Sequence, residues 1–393
     1  MIQTGRALAR AGLGLSLLVA TAVRLPHLDF VPIWDGRNYW DDCVQPALLG
    51  SFDPLAFNCF GHRSMLYMLA VSWPQYLNHG SPLLLNLTHL CVSLLTIWAF
   101  HRVAIVIVPP SEERGSGLVP ALATMVFASM PAWTASSVNL NPDSGVLASF
   151  LFALGFFLRR RLIPATIAGL FLVLSKATGM LLWLMLVAIE AAFAIHEKGW
   201  RKAGSALLKR AHLILPLLAY AAVGMALTAA GRQATWGQKV PLWELALTFL
   251  SADLFDPIFG AYIADLFVLN FAWIMTSMIV AWLVATGLDA FRSRPFALPR
   301  AIEPRSAAFT GLAALGTIYL LTRYPTFNNP RYLLPAFPMV VLVFMAATLA
   351  LISRPRMRAG LFVIVALLQI GSMSRTFDPI SKFAFGTFRF GDH

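Results

Sequence analysis

The run LIPATIAGLFLVLSKATGMLLWLMLVAIEAAFAI, residues 162–195, decides how this chain folds. It is apolar over 34 residues, whereas a helix that crosses a bilayer needs only about 20. Lys176 lies in its middle, so we divide the run there into two helices joined by a tight turn. That division places the three arginines at 159–161 on the same side of the membrane as the basic residues that follow the run. The run therefore predicts a helical hairpin within a membrane.

The composition extends this interpretation to the whole chain. Of the 393 residues, 58% are hydrophobic and 12% are charged, about half the charged fraction of soluble domains. We therefore predict an all-α polytopic membrane protein, residues 1–393, that forms one integral membrane domain without a separate soluble domain. Windowed hydropathy indicates about eleven transmembrane helices. They cover residues 9–24, 83–106, 118–138, 145–158, 162–175, 177–195, 213–230, 266–287, 307–322, 334–352 and 359–373.

The charges predict the orientation of these helices. Segments on the side of the N-terminus contain 19 of the 30 basic residues, and segments on the other side contain 12 of the 18 acidic residues. Because short cytoplasmic segments are enriched in Lys and Arg, we place the N-terminus in the cytoplasm. The net charge of +12 is then mainly a sign of topology, and we predict no nucleic-acid partner.

Three stretches fall on the outer side in this topology. They are a first outer loop over residues 25–82, a second long loop over 231–265 and a C-terminal tail over 374–393. The first outer loop contains PIWDGRNYWDD at residues 32–42, and its residues 64–77 predict a helix that lies at the membrane surface. Cys43 and Cys59 also lie in this loop, where they either pair in an oxidising compartment or remain free thiols.

Carboxylates of the outer segments are candidates for acid–base chemistry. Asp35, Tyr39 and Asp42 have the spacing i, i+4, i+7 and would share one helical face. Asp35 either caps a helix or acts as a general base within hydrogen-bond reach of its substrate. Asp143 follows Asn141 in the next outer turn, where it either stabilises a helix N-terminus or approaches the reactive site.

Basic residues near the outer ends of spans are candidates for phosphate binding. Lys and Arg at a dry interface stabilise a departing phosphate, although the same residues also extend to lipid headgroups. His62 either forms hydrogen bonds within its loop or orients a phosphate or a metal ion. Carboxylates and a phosphate together can hold a divalent cation, which makes such a cation a candidate cofactor. The basic candidates are Lys176, Arg331, Arg323 and Arg63.

The order of these features resembles a known family. The acidic motif, the His62–Tyr67 segment, the Asn-Pro-Asp143 turn, the hairpin and the late NPRYLLPAFP resemble the GT-C membrane glycosyltransferases. The resemblance is to their protein-mannosyltransferase and aminoarabinose-transferase (ArnT-like) branch. Two departures stand out: Gly36 replaces the second acid of the family's Asp-Glu pair, and the His62 segment is one residue longer and lacks its prolines.

The resemblance implies an inverting glycosyltransferase on the outer face of a bacterial inner membrane. Its donor would be a polyprenyl-phosphate-linked sugar, and its acceptor a hydroxyl of a lipid, a glycan or a protein. The resemblance implies that Asp35 is catalytic and that Asp143 approaches the active site. Asp42 shares the face of Asp35 and is either a further catalytic candidate or part of a solvated surface. The four basic candidates would bind the donor phosphate, and Tyr39, His62 and Tyr67 would contact the substrate.

Two other function classes remain open at this point. A transporter or flippase would carry ionisable residues in the middle of its spans, where this sequence places only Glu190. A non-catalytic relative that acts as an assembly subunit would explain the missing second acid.

Overall fold

The structure is a computed structural model that describes most of the chain as α-helix. The described residues are 2–32, 35–45, 48, 65–78, 80–109, 117–231, 256–292, 298–299, 301–323, 329–374 and 378–379. The helices are α1 (Ile2–Arg24), α2 (Asp35–Tyr39), α3 (Met65–Ser72), α4 (Pro82–Ile107), α5 (Leu118–Ala128), α6 (Pro131–Ser136), α7 (Pro142–Leu158), α8 (Leu162–Val173), α9 (Ala177–Lys198), α10 (Ala203–Leu208), α11 (Leu215–Ala229), α12 (Pro257–Phe267), α13 (Ala272–Phe291), α14 (Pro304–Arg323), α15 (Ala336–Leu351) and α16 (Pro355–Ser374).

The predicted spans correspond to helices of the structure. Among the described residues, six helical segments are long and apolar enough to cross a membrane: α1, α4, α9, α11 together with the 3-10 turn at Ala211–Ile214, α13 and α16. The shorter apolar helices α7 and α15 are almost entirely buried among the others, so the lipid-facing helices surround them. The predicted surface segment of the first outer loop is also helical, as α3 followed by a 3-10 turn over Trp73–Tyr76. The prediction of an all-α polytopic membrane protein is confirmed.

The hairpin divides where the sequence indicated. Helix α8 ends at Val173, and Lys176 is the extended residue immediately before α9. The two arms approach closely, since a Cβ at Gly179 would lie 2.0 Å from the carbonyl oxygen of Leu172. This contact requires glycine, because real Cβ atoms do not approach an oxygen so closely. The hairpin thus fixes Lys176 at the tip of two tightly packed helices.

Two spans differ from the sequence prediction. The third is interrupted between α5 and α6 because Pro131, at the first position of α6, cannot donate a backbone hydrogen bond to a continuous helix. The eighth begins later than predicted, because the left-handed residues Asn270 and Phe271 separate α12 from α13. Asp378, from the chain beyond α16, accepts a hydrogen bond from Phe271 N at 3.0 Å and so stabilises this break.

Charged and polar side chains cluster at the two ends of the helical bundle. We call the end at which α1 ends and α7 begins the site end. There Asn86, in the first turns of α4, donates hydrogen bonds to the carbonyls of His27, Leu28 and Phe30, which ties the start of the first loop to the bundle.

The opposite end contains a network of acidic and basic side chains. Glu190 is buried and pairs with Arg210 at 3.0 Å and with Arg305 at 3.2 Å. Arg305 also contacts Glu197, which pairs with Arg160. Glu190, which lies within α9 (Ala177–Lys198), is therefore neutralised by arginines from segments at this end of the bundle.

Candidate functional site

A buried ion pair lies at the centre of the site end. Lys176 Nζ is 2.9 Å from Oδ1 and 2.8 Å from Oδ2 of Asp143, so it bridges both carboxylate oxygens. The two side chains are only 7% and 4% exposed. Helix α7 supplies Asp143 at its first turn and the hairpin supplies Lys176 at its tip. Two segments that the sequence treated separately thus form one electrostatic unit.

Arg331 brings a second cation to the same carboxylate. Its Nε lies 3.7 Å from Asp143 Oδ2, and its side chain is 16% exposed, more than that of Lys176. Two cations therefore meet one carboxylate in this group. Arg331 is therefore the member of the group nearer to the surface, where an anion would arrive.

Two Asn-Pro turns present these opposite charges. Asn141 Oδ1 accepts a hydrogen bond from the backbone N of Asp143 at 2.9 Å. Asn329 Oδ1 accepts from the backbone N of Arg331 at 3.3 Å, and both asparagines have the same extended backbone conformation. In each turn a proline follows the asparagine and begins a helix, a position at which the backbone N–H that proline lacks would have no partner within the helix. The same type of turn thus positions the carboxylate of Asp143 and the guanidinium of Arg331.

Two tyrosines complete this group, and the sequence analysis did not single them out. The Tyr332 ring centroid is 4.2 Å from Lys176 Nζ and 5.3 Å from Arg331 Cζ, in the range of cation–π attraction. The Tyr262 hydroxyl accepts a hydrogen bond from Asn329 N at 3.2 Å. Burial raises the pKa of Tyr262 to about 12, and the negative charges of Asp265, also in α12, and of Asp143 contribute in the same direction. The repeated Asn-Pro dipeptide before a charged residue is the sequence signal that could have found this neighbourhood.

The helix that carries Asp35 packs directly on the Asp143 turn. A Cβ at Gly36 would lie 2.2 Å from Oδ1 of Asn139, so the amide of Asn139 fills the space beside the first turn of α2. The backbones of Asp35 and Asp42 are described, α2 beginning at Asp35 and a π-helical turn over 40–44 including Asp42. Their side chains lie outside what the structure describes. The amide of Asn139 thus occupies the space that a side chain at position 36 would need.

Tyr67 connects α3 to the same turn. Its hydroxyl is 3.0 Å from Nδ1 of His89, and it also hydrogen bonds to Ser144. A Cβ at Gly145 would lie 2.3 Å from Cδ2 of Tyr67, so the ring rests on the first turn of α7. Burial raises the pKa of Tyr67, and the charge of Asp143 adds to that effect. The predicted substrate contact at Tyr67 is therefore a buried hydroxyl close to the ion pair.

The other predicted residues are distributed around this centre. Tyr39 is buried in a small apolar cluster with Trp40, Tyr67 and Leu140. Arg323 lies at the end of α14, with its Cζ 4.3 Å from the ring centroid of Phe259 in α12. The remaining predictions fall on residues or side chains outside the described part, namely His62, Arg63, Cys43 and Cys59.

The described residues contain no group of three or more His, Cys, Asp or Glu side chains arranged to hold a metal ion. The divalent cation of the sequence analysis therefore stays a prediction. Within the described part, the group at the site end is organised by the ion pair and its second cation.

Comparison with known proteins gives the fold. No family model matches the chain, and no curated protein sequence matches it significantly. The crystal structure of ArnT from Cupriavidus metallidurans in the apo state is similar, with a TM-score of 0.59, 14% identity and coverage of 88% of this chain and 60% of ArnT. For ArnT from the same organism bound to undecaprenyl phosphate, the TM-score is 0.58, the identity is 16%, and 86% of this chain and 60% of ArnT are covered. The chain thus spans about 60% of the length of ArnT and has an ArnT-like fold.

Proposed function

We propose that this protein is a glycosyltransferase that moves a sugar from a polyprenyl-phosphate donor to an acceptor hydroxyl. The observation that carries the proposal is the group of Asp143, Lys176 and Arg331, in which two cations meet one buried carboxylate at one end of a membrane bundle. An ArnT-like fold supports the same conclusion, and one ArnT structure contains undecaprenyl phosphate. The proposed acceptor is a hydroxyl of a lipid, a glycan or a protein.

The electrostatics of the group suit a phosphate leaving group. Asp143 neutralises one of the two cations and holds both in place, so a phosphate that approaches Arg331 meets a fixed positive charge. Fixed donors in a water-poor site stabilise developing negative charge without having to reorganise during the reaction. An arginine also offers two parallel donors to phosphate oxygens. In this proposal Asp143 organises the cations, while Lys176 and Arg331 bind the phosphate.

The reaction needs one base in addition to these cations. The acceptor oxygen attacks the anomeric carbon of the donor, the bond from that carbon to the phosphate oxygen breaks, and the hydroxyl proton moves to the base. The polyprenyl phosphate leaves with the bonding electrons, and the anomeric configuration inverts. We assign the base to Asp35, because α2 packs on the turn that ends at Asp143. Asp42, Arg63, Arg323, Tyr39, His62 and Tyr67 remain candidate members of the same site.

The charge distribution supports a location for the reaction. The end opposite the site holds the arginine-rich network that includes Arg160, Arg210 and Arg305. Basic residues accumulate on the cytoplasmic side of membrane proteins. We therefore place the N-terminus in the cytoplasm and the site on the outer face of a bacterial inner membrane, where a lipid-linked donor presents its sugar.

The two alternative functions predict different structures. A transporter places ionisable residues near the midplane, whereas Glu190, buried in α9, forms ion pairs with arginines at the opposite end. A non-catalytic subunit has no need of a buried ion pair between Lys176 and Asp143, whose burial costs desolvation energy. The ion pair at the site end therefore favours the transferase.

A transfer assay tests the proposal. Purified protein in a lipid nanodisc is incubated with a radiolabelled polyprenyl-phosphate sugar and a bacterial envelope fraction that contains acceptors. We expect release of polyprenyl phosphate and labelling of an acceptor, and we expect both to be lost in Asp35→Asn. Asp41→Asn is the matched control, because Asp41 is half exposed and pairs with Arg37 at the surface. Full turnover in a correctly folded Asp35→Asn protein would show that the base has been assigned wrongly.

A further inference from the structure

The strongest additional feature is the contact between Gly36 and Asn139. The atoms that a Cβ at Gly36 would meet are Oδ1 at 2.2 Å, Cγ at 2.8 Å and Nδ2 at 3.0 Å, all of them in the amide of Asn139. The amide, with its oxygen nearest, therefore contacts the first turn of α2 at the residue that follows Asp35. A residue with any side chain at position 36 would have to displace it.

The two residues that follow Asn139 are held in place by the bundle. Leu140 is fully buried in the apolar cluster with Tyr39 and Tyr67. Asn141 caps α7 through its hydrogen bond to the backbone of Asp143. Asn139 is thus the first residue of a rigid turn that ends at the buried ion pair, and its side chain reaches across to α2.

We infer that Asn139 is a positioning residue whose amide seats the first turn of α2 and thereby holds Asp35 at a fixed place relative to the Asp143–Lys176–Arg331 group. This inference rests on the proposed transfer reaction. A neutral amide supports α2 without a second negative charge beside the base, since a nearby carboxylate would raise the pKa of the base. Gly36 is the partner that makes this close seating sterically feasible.

A double-mutant cycle tests the inference through turnover. Asn139→Ala removes the amide, and Gly36→Ala forces it to rotate away, which the flexible end of a side chain can do. We expect each change alone to lower kcat about 10- to 100-fold, because a displacement near 1 Å of a reacting group costs about that much. The KM for the donor should change little, since the phosphate ligands are untouched. The double variant should be no slower than either single variant, because both changes break one contact.

Gly316→Ala is the matched control for the steric change. A Cβ at Gly316 would lie 2.4 Å from Sδ of Met185, again at the flexible end of a side chain, but in a contact between α9 and α14. We expect this variant to keep wild-type kcat. A loss as large as that of Gly36→Ala would show that a tight glycine contact anywhere in the bundle has the same effect, and it would overturn the inference.

Asn139→Asp provides a readout that a purely structural role would not change. Aspartate has nearly the same shape as asparagine but adds a negative charge beside the base. We expect the acidic limb of the kcat/KM profile to move to higher pH by about half a unit to one unit, because a like charge disfavours ionisation. An unchanged pH profile together with unchanged turnover in Asn139→Ala would overturn the inference. Inactive wild-type protein would instead refute the proposed reaction. If the wild type is active and Asp35→Asn is inactive, the proposed reaction stands, and a negative result with the Asn139 variants refutes only the role of Asn139.

Discussion

The buried ion pair makes a quantitative prediction about stability. Removing the carboxylate by Asp143→Asn leaves the buried Lys176 and the partly buried Arg331 as two neighbouring cations. At an effective dielectric constant of about 20, the carboxylate attracts Lys176 at 2.8 Å by about 6 kcal/mol and Arg331 at 3.7 Å by about 4.5 kcal/mol. Because the desolvation of the cations remains after the substitution, we expect a net loss of about 3–5 kcal/mol in the free energy of unfolding.

The two partners should not be equivalent. Lys176→Met leaves Asp143 with Arg331, so its charge remains compensated, and we expect a loss of less than about half that of Asp143→Asn. The double variant Asp143→Asn/Lys176→Met removes one charge of each sign. It should be more stable than Asp143→Asn alone, because only one cation then remains in the buried group.

Thermal unfolding in detergent, followed by intrinsic tryptophan fluorescence, measures these differences. At about 2 °C per kcal/mol, Asp143→Asn should lower the melting temperature by roughly 6–10 °C. The control is Asp41→Asn, which breaks an exposed pair with Arg37 at 3.1 Å and should cost less than about 1 kcal/mol. The reasoning is refuted if Lys176→Met destabilises as much as Asp143→Asn, or if the two changes add in the double variant.

Two further predictions concern the same end of the bundle and the hairpin. Burial raises the pKa of Asp265 to about 7, so this carboxyl stabilises the fold below about pH 4 and loses that contribution as the pH rises through 7. Asp265→Asn should therefore raise the melting temperature at pH 8 relative to wild type, by an amount equivalent to at most about 4 kcal/mol, and an identical pH dependence in both proteins would contradict this. Gly179→Ala should prevent normal packing of the hairpin, because its Cβ would meet the Leu172 carbonyl oxygen at 2.0 Å, whereas Gly287→Ala has open space and should be neutral or stabilising. Equal melting temperatures for these two glycine variants would show that the hairpin contact is not tight.

The sequence predicted the fold well because hydropathy and length largely determine membrane helices. The hairpin tip at Lys176 followed from one charged residue in an apolar run that was too long for a single span. The break at Pro131 could also have been read from the sequence, since proline interrupts the helical hydrogen-bond pattern. The break before α13 could not, because it depends on Asp378, 107 residues later in the chain.

The site was only partly predictable for a related reason. Asp143 and Lys176 were each identified, but their pairing across 33 residues depends on how α7 and the hairpin pack. Tyr332 was not predicted, because an aromatic residue next to an arginine is not a distinctive sequence pattern. Its role became clear only from the structure, in which its ring lies beneath Lys176. The sequence showed that Gly36 stands where the resemblance expects a second acid. Only the structure shows that the amide of Asn139 occupies the space that a side chain at position 36 would need.

Binding of the lipid phosphate tests the central claim most directly. Undecaprenyl phosphate is titrated into protein in nanodiscs, and the bound fraction is measured by native mass spectrometry for wild type, Arg331→Gln and Arg160→Gln. Arg160 is the control, because it is an exposed arginine that pairs with Glu197 at the opposite end. The account predicts that Arg331→Gln weakens binding at least about tenfold, since a charged hydrogen bond contributes about 1.5–3 kcal/mol, and that Arg160→Gln binds as wild type does. Equal affinity of all three proteins would contradict a phosphate site at the buried ion pair.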